Sequence, residues 1–183
     1  MAATVLLVGA FDTKGPEYAF LRERILADGI DVLTLNTGVL GSTELFPVDI
    51  EAAQVATEGG SELSALREKK DRGEAMRVMA DGVAKLLPRL HASGKMDGVI
   101  GMGGSGGSSV VTAGMRALPI GVPKVCISTV ASGQTSAFVG AKDVVLFPSI
   151  TDVAGVNRIS QVIFTRAAGA ICGMVRAKLP EAV

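Results

Sequence analysis

The plainest indication of architecture in this chain is MDGVIGMGGSGGSSVVTAGMRALP, residues 96–119. Its apolar start is typical of a buried β-strand, and VVTAGMRALP at its end is typical of a helix. Five glycines fall between them within residues 101–107. A buried strand, a glycine-rich turn and a helix in this order indicate one unit of a parallel α/β sheet.

The same alternation of strand and helix runs along the rest of the chain. Strands are predicted at 4–9, 30–36, 96–102, 122–129 and 143–148, and helices at 16–29, 110–119 and 152–178. Residues 37–60 are predicted to be irregular with short helical pieces, and 61–93 to be helical with a break near Gly73. We therefore predict one α/β domain over residues 1–183, with a mainly parallel sheet and helices on both faces.

Composition excludes several classes of function. The 183 residues carry 18 Lys and Arg against 18 Asp and Glu, so a basic surface for nucleic acid or an anionic membrane is not expected. No apolar run is long enough to span a membrane, and no secretory signal is apparent. With two distant cysteines and one histidine, His91, no metal site is predicted, and the cysteines indicate a reducing, cytoplasmic location.

Ligands of parallel sheets bind beyond the carboxyl ends of the strands, which directs attention to the loops there. The first is GAFDTKG (9–15), with Asp12, Thr13 and Lys14 before a helix. Lys14 is suited to a phosphate, and Asp12 to a ribose hydroxyl or a metal-bound water. An Asp or Thr helix cap beside a solvated lysine is an equally good interpretation.

The second loop is the glycine–serine stretch. It matches G-x-G-x-x-G through Gly101, Gly103 and Gly106, but it does not follow the first strand. A dinucleotide site also needs an acid about 20 residues further on, and no acid lies between Arg116 and Phe138. We instead predict an anion cradle before a helix, in preference to a flexible turn. Its predicted residues are Gly103, Gly104, Ser105, Gly106, Gly107 and Ser108.

The third loop follows the strand at 122–129. Its hydroxyls and glycine, Ser128, Thr129, Ser132 and Gly133, are predicted to donate hydrogen bonds to the same ligand, with a polar turn as the alternative. No G-x-S-x-G elbow marks a nucleophilic serine. Further on, Asp152 is predicted to cap the last helix. The small residues 167–170 with Gly173 indicate close packing, against either a partner subunit or the core.

Taken together, GAFDTKG, DGVIGMGGSGGSS, PKVCISTVASG, FVGAKDV and DVAGVNRIS resemble the N-terminal part of the Tm-1-like ATP-binding family, UPF0261. The resemblance covers nearly the whole chain. It implies a Rossmann-like three-layer sandwich, ATP binding, possible use of Mg²⁺, and self-association as a homo-oligomer. It also implies a second α/β half of similar size, so this chain is expected to be either a split or truncated version or the partner of a second half on a separate chain.

The leading hypothesis is a nucleotide-binding domain with ATP as the ligand, built on the three loops. Two alternatives stay open from the sequence. One is an enzyme acting on a small phosphorylated or carboxylated metabolite together with the C-terminal half. The other is a protein-interaction module that uses residues 37–60 and the last helix as surfaces. No catalytic residue is predicted, because no acid–base pair stands at a recognisable spacing.

Overall fold

A computed structural model describes residues 3–178 and contains one five-stranded sheet. The strands are β1 (Thr4–Gly9), β2 (Asp31–Asn36), β3 (Gly98–Gly103), β4 (Lys124–Ser128) and β5 (Val145–Pro148). Their order is β2-β1-β3-β4-β5, and every neighbouring pair is parallel. Parallel strands need crossover connections, and helices supply them here.

The helices in the described residues follow the strands in alternation. They are α1 (Phe11–Ala27), α2 (Ala52–Glu58), α3 (Leu63–Lys69), α4 (Arg72–Ala92), α5 (Ser105–Ala117), α6 (Ser136–Val139) and α7 (Arg158–Arg176). The chain moves one way across the sheet from β1 to β2 and the other way from β2 to β5. Because such crossovers are right-handed, α1 falls on one face, and α4 and α5 on the other.

Each face of the sheet has its own apolar core. Leu6 and Val8 of β1 contribute to the core beneath α2, α4 and α5, while Val5 and Leu7 contribute to the core beneath α1 and α7. Alternate residues of a strand point to opposite faces, so a strand buried on both faces is a continuous apolar run. The predicted Rossmann-like three-layer sandwich is confirmed.

Three predicted helix boundaries were wrong. Helix α1 begins at Phe11 and is kinked at Lys14, close to Pro16, which lacks an N–H and obstructs a regular helix. Helix α5 begins at Ser105, five residues before the predicted start, so the glycine–serine loop forms its first turn. Helix α7 begins at Arg158, and its cap is Asn157, in a capping box with Ser160, and not Asp152.

The small residues of α7 divide into two sets. Ala167 and Ala168 are buried in the core, which confirms core packing for that part of the patch. Gly169 and Gly173 face open space, with nothing within 4 Å of where a side chain would begin. The two cysteines are buried and free, and burial raises the pKa of the Cys126 thiol to about 12. That thiol is therefore protonated at neutral pH.

An ion pair with one buried partner joins β4 to the segment before β5, since Lys124 is fully buried and the Asp143 side chain is 40% exposed. The fully buried ammonium of Lys124 lies 2.7 Å from Asp143 Oδ1 and donates to the carbonyl oxygens of Pro119 and Val122. Burial acts to raise the pKa of Asp143, but hydrogen bonds from Lys124 and from the Gly121 N–H outweigh it and hold that pKa below its usual value. The pair therefore favours the folded state when Asp143 is ionised.

We predict that Asp143→Asn lowers the free energy of unfolding by about 1–2 kcal/mol at neutral pH, because the fully buried Lys124 ammonium loses its counter-ion while water screens the 40% exposed Asp143 side chain. A depressed carboxyl pKa stabilises the fold above the unfolded-state pKa of about 3.9, and this contribution is lost as pH falls through the folded-state pKa. Urea unfolding of the wild type and the variant should thus converge as the pH drops below about 4. A stability difference independent of pH would contradict the ion-pair explanation.

Candidate functional site

The order of the strands creates an opening between β1 and β3. The connection after β1 leads to one face of the sheet and the connection after β3 to the other, so the two loops diverge at this point. Such switch points are where open α/β sheets bind ligands. A cleft of about 720 Å³ lies here, which we call the wide cleft; Thr13, Lys14 and the segment from Gly103 to Gly107 all line it. Its size is that of small-molecule sites.

The floor of the wide cleft is the first turn of α5. Gly104 occupies the N-cap position in an extended conformation, and no side chain caps the helix. The N–H groups of a first helical turn have no partner within the helix, and they attract anions. At Gly106 a side chain would project toward the ends of Met76 and Arg72, so glycine keeps the cleft open there. The glycine–serine stretch for which an anion cradle is predicted thus forms an uncapped first turn that faces the wide cleft.

The rim of the wide cleft is basic, and the sequence prediction missed most of it. Arg67, Lys70 and Arg72 come from the junction of α3 and α4 and join Lys14, against the two acids Asp71 and Asp152. The sequence feature that could have indicated this basic rim is the run REKKDR at residues 67–72, but on its own such a run is typical of a solvated helix junction. Asp71 is engaged as the N-cap of α4, where it accepts from the Glu74 N–H at 3.0 Å.

One wall of the wide cleft is apolar. Methionine and aliphatic side chains of α3, α4 and the loop after β2 line it, and Leu40 there is 78% exposed. They are Val39, Leu40, Leu66, Met76 and Met79. Methionine adapts its shape to flat or irregular apolar groups. The wide cleft therefore combines the uncapped N-terminus of α5 and a basic rim with an apolar wall.

The three residues of the first predicted loop have different positions. Thr13 and Lys14 line the wide cleft, and the Lys14 ammonium donates to the Val153 carbonyl. Asp12 does not line the wide cleft: its Oδ2 accepts from the Leu40 N–H at 2.9 Å, and its carboxylate fills the space beside Gly38. Asp12 thus holds the loop that carries Val39 and Leu40 into the cleft wall.

Tyr18 holds the backbone of the strands at the switch point, a role that was not predicted from the sequence. Its hydroxyl lies 2.9 Å from the carbonyl oxygens of Val8 and Met102, and it accepts from the Met102 N–H at 2.9 Å. These backbone groups belong to β1 and β3 next to the cleft. Complete burial raises the pKa of Tyr18 well above its usual value, so the hydroxyl stays protonated and can donate. Gly9 has no side chain, which leaves the space for this hydroxyl.

The third predicted loop lies at a second cleft of about 450 Å³, which we call the narrow cleft. Ser128, Thr129 and Ser132 line it, and Gly133 does not. Ser128 Oγ lies 2.6 Å from Ser108 Oγ, and both serines are buried. This contact joins the end of β4 to α5. The three predicted loops therefore do not converge on one cleft, although Asp152 lines both.

Two further observations concern metal-ligating side chains and membrane-spanning helices. Within residues 3–178, no three His, Cys, Asp or Glu side chains are grouped as a metal site would require. Over the same residues, no helix combines the length and apolar character of a membrane span.

Comparison with known proteins relates the chain to one family. Residues 3–180 match the family described as "Uncharacterised protein family (UPF0261) N-terminal domain". A UPF0261 protein of Clostridium tetani is 42% identical over 181 residues, which cover 99% of this chain and 45% of that protein. One from Mesorhizobium japonicum is 42% identical over 176 residues, covering 96% of this chain and 43% of the relative.

A plant relative is also similar. The "ToMV resistance protein Tm-1(GCR237)" of Solanum lycopersicum is 34% identical over 191 residues, covering 96% of this chain and 25% of that protein. The chain thus spans less than half the length of each of these relatives.

Proposed function

The chain belongs to the UPF0261 family, and we propose that its wide cleft binds a nucleotide, with ATP as the first candidate. The observation that carries the proposal is the uncapped first turn of α5, which opens into a cleft with a basic rim. In this arrangement the N–H groups after Gly104 bind a phosphate, and Arg72 adds a charge-assisted hydrogen bond. Mg²⁺ would enter with the phosphates of the ligand.

The apolar wall distinguishes a nucleotide from a simple phosphate compound. A base is flat, and one side of it can lie against Met76 and Met79 while the phosphates reach the helix terminus. The loop that Asp12 holds closes the cleft beside this wall through Leu40. Inorganic phosphate would use only the cradle and leave the apolar wall exposed. Affinity is therefore expected to rise from phosphate to ADP and ATP.

The charge on the rim is tested with Arg72→Gln. Within residues 3–178 Arg72 makes no hydrogen bond or ion pair, and it lies beside the first turn of α5 at Gly106. Isothermal titration with MgATP should give a dissociation constant about tenfold higher for the variant, equal to about 1.4 kcal/mol. Arg158→Gln, an exposed arginine at the start of α7, is the matched control and should bind as the wild type does.

The proposal itself fails if the wild-type protein shows no saturable binding of ATP or ADP, with or without Mg²⁺. Binding that is equal for adenosine and ATP would place the affinity in the apolar wall and contradict the phosphate cradle.

A further inference from the structure

We propose that the narrow cleft is a separate binding site for a small, uncharged polyhydroxyl compound. The cleft lies beyond the carboxyl ends of β4 and β5, and its lining residues come from 128–132 and 148–152. Its volume of about 450 Å³ is within the range of small-molecule sites. The proposal goes beyond nucleotide binding in the wide cleft and does not depend on it.

The chemistry of the lining selects the class of ligand. Five of the eight lining residues carry hydroxyl groups: Ser128, Thr129, Ser132, Ser149 and Thr151. A hydroxyl both donates and accepts, so it matches the hydroxyls of a ligand. Among residues 3–178, no Lys, Arg or His lines the cleft, and the one charged side chain that does is the carboxylate of Asp152. A carboxylate accepts from ligand hydroxyls and repels anions, so phosphorylated compounds are disfavoured.

The hydroxyl groups differ in whether the protein already supplies them with hydrogen-bond partners. Ser128 is bonded to Ser108, and Ser149 Oγ donates to the Thr151 carbonyl at 2.6 Å. These two form the rigid frame of the cleft. Thr151 Oγ1 is buried and has no hydrogen-bond partner in the described part of the chain, and Thr129 and Ser132 are exposed. A buried hydroxyl without a partner is unfavourable, and a ligand hydroxyl would supply the missing bond.

The backbone at the mouth of the cleft is strained. Ile150 has a φ of 66°, in the left-handed region that β-branched residues avoid, and its side chain is 72% exposed. An exposed isoleucine gains little burial from this conformation. Strained residues of this kind concentrate at ligand sites. The strain therefore supports a binding role for the loop after β5.

Titration of ¹⁵N-labelled protein with polyols tests the proposal without any nucleotide. The probes are glycerol, D-ribose, sorbitol and myo-inositol, followed through the amide shifts of Thr129, Ser132 and Thr151. At least one probe should give saturable shifts at these amides. Thr151→Val keeps the shape of the side chain and should weaken that binding about tenfold. Thr165→Val, at an exposed position on α7, is the matched control and should bind as the wild type does.

Several outcomes would overturn the proposal. Amide shifts that increase linearly with the concentration of every polyol would indicate a solvent effect. If Thr151→Val binds the polyol with unchanged affinity, the Thr151 hydroxyl does not contribute to binding. Saturable shifts at these amides with inorganic phosphate, and none with polyols, would show that the cleft binds an anion and not a neutral ligand. A parallel titration with ADP follows the amide shifts of Gly104 and Gly106 in the wide cleft. Failure of nucleotide binding there is therefore distinguished from failure of polyol binding in the narrow cleft.

Discussion

Replacement of Gly106 by valine should raise the dissociation constant for MgATP about 100-fold or more, equal to at least about 2.8 kcal/mol of binding free energy. A side chain at this position begins 3.0 Å from Met76 Cε and 3.6 Å from an Arg72 guanidinium nitrogen, at the mouth of the anion cradle. It would occupy the space that a phosphate needs beside the first turn of α5. Isothermal titration measures the effect.

The same substitution should leave the fold intact. The nearest atoms belong to the flexible end of Met76, which can move, and Gly106 lies within a helix, where valine is allowed. Gly169→Val in α7 is the matched control, since it also replaces a helical glycine but faces open space away from both clefts. Both variants should unfold near the wild-type temperature. Normal nucleotide binding by Gly106→Val would show that the turn is only structural.

Replacement of Gly9 by alanine should destabilise the protein by about 3 kcal/mol, because the new methyl group overlaps a buried side chain. An ideal Cβ at residue 9 would lie 1.7 Å from the Tyr18 hydroxyl oxygen. Tyr18 would have to move and give up its bonds to Val8 and Met102. Urea unfolding measures the loss of stability.

Gly173→Ala makes the same chemical change as Gly9→Ala but should have the opposite effect on stability. Gly173 lies in α7 with open space beside it, so alanine should stabilise the helix by up to about 1 kcal/mol. Tyr18→Phe removes the hydroxyl alone and should cost about 1–3 kcal/mol. If Gly9→Ala is as stable as the wild type, the contact between Gly9 and Tyr18 does not position the strand ends.

Local patterns predicted most of the fold. All five strands lie where apolar runs indicated them, and the three central strands β1, β3 and β4 are the continuous runs that burial on both faces requires. The predicted break near Gly73 is confirmed as the junction of α3 and α4. The helix starts were harder, because glycine and serine at residues 105–108 favour a loop locally. Packing of Val110, Val111 and Met115 into the core stabilises the helix that includes them.

Patterns of neighbouring residues were enough to predict the layers and the parallel strands, and they led to the glycine-rich anion cradle, which stays a prediction. Only the tertiary structure decided which loops share a cleft. It brought Arg72 and Met76 from the distant α3–α4 junction to the cradle, and it assigned Ser132 and Thr129 to a second cleft. These placements depend on the order of the strands and on how helices cross the sheet, which are contacts between residues far apart in sequence and have no local pattern.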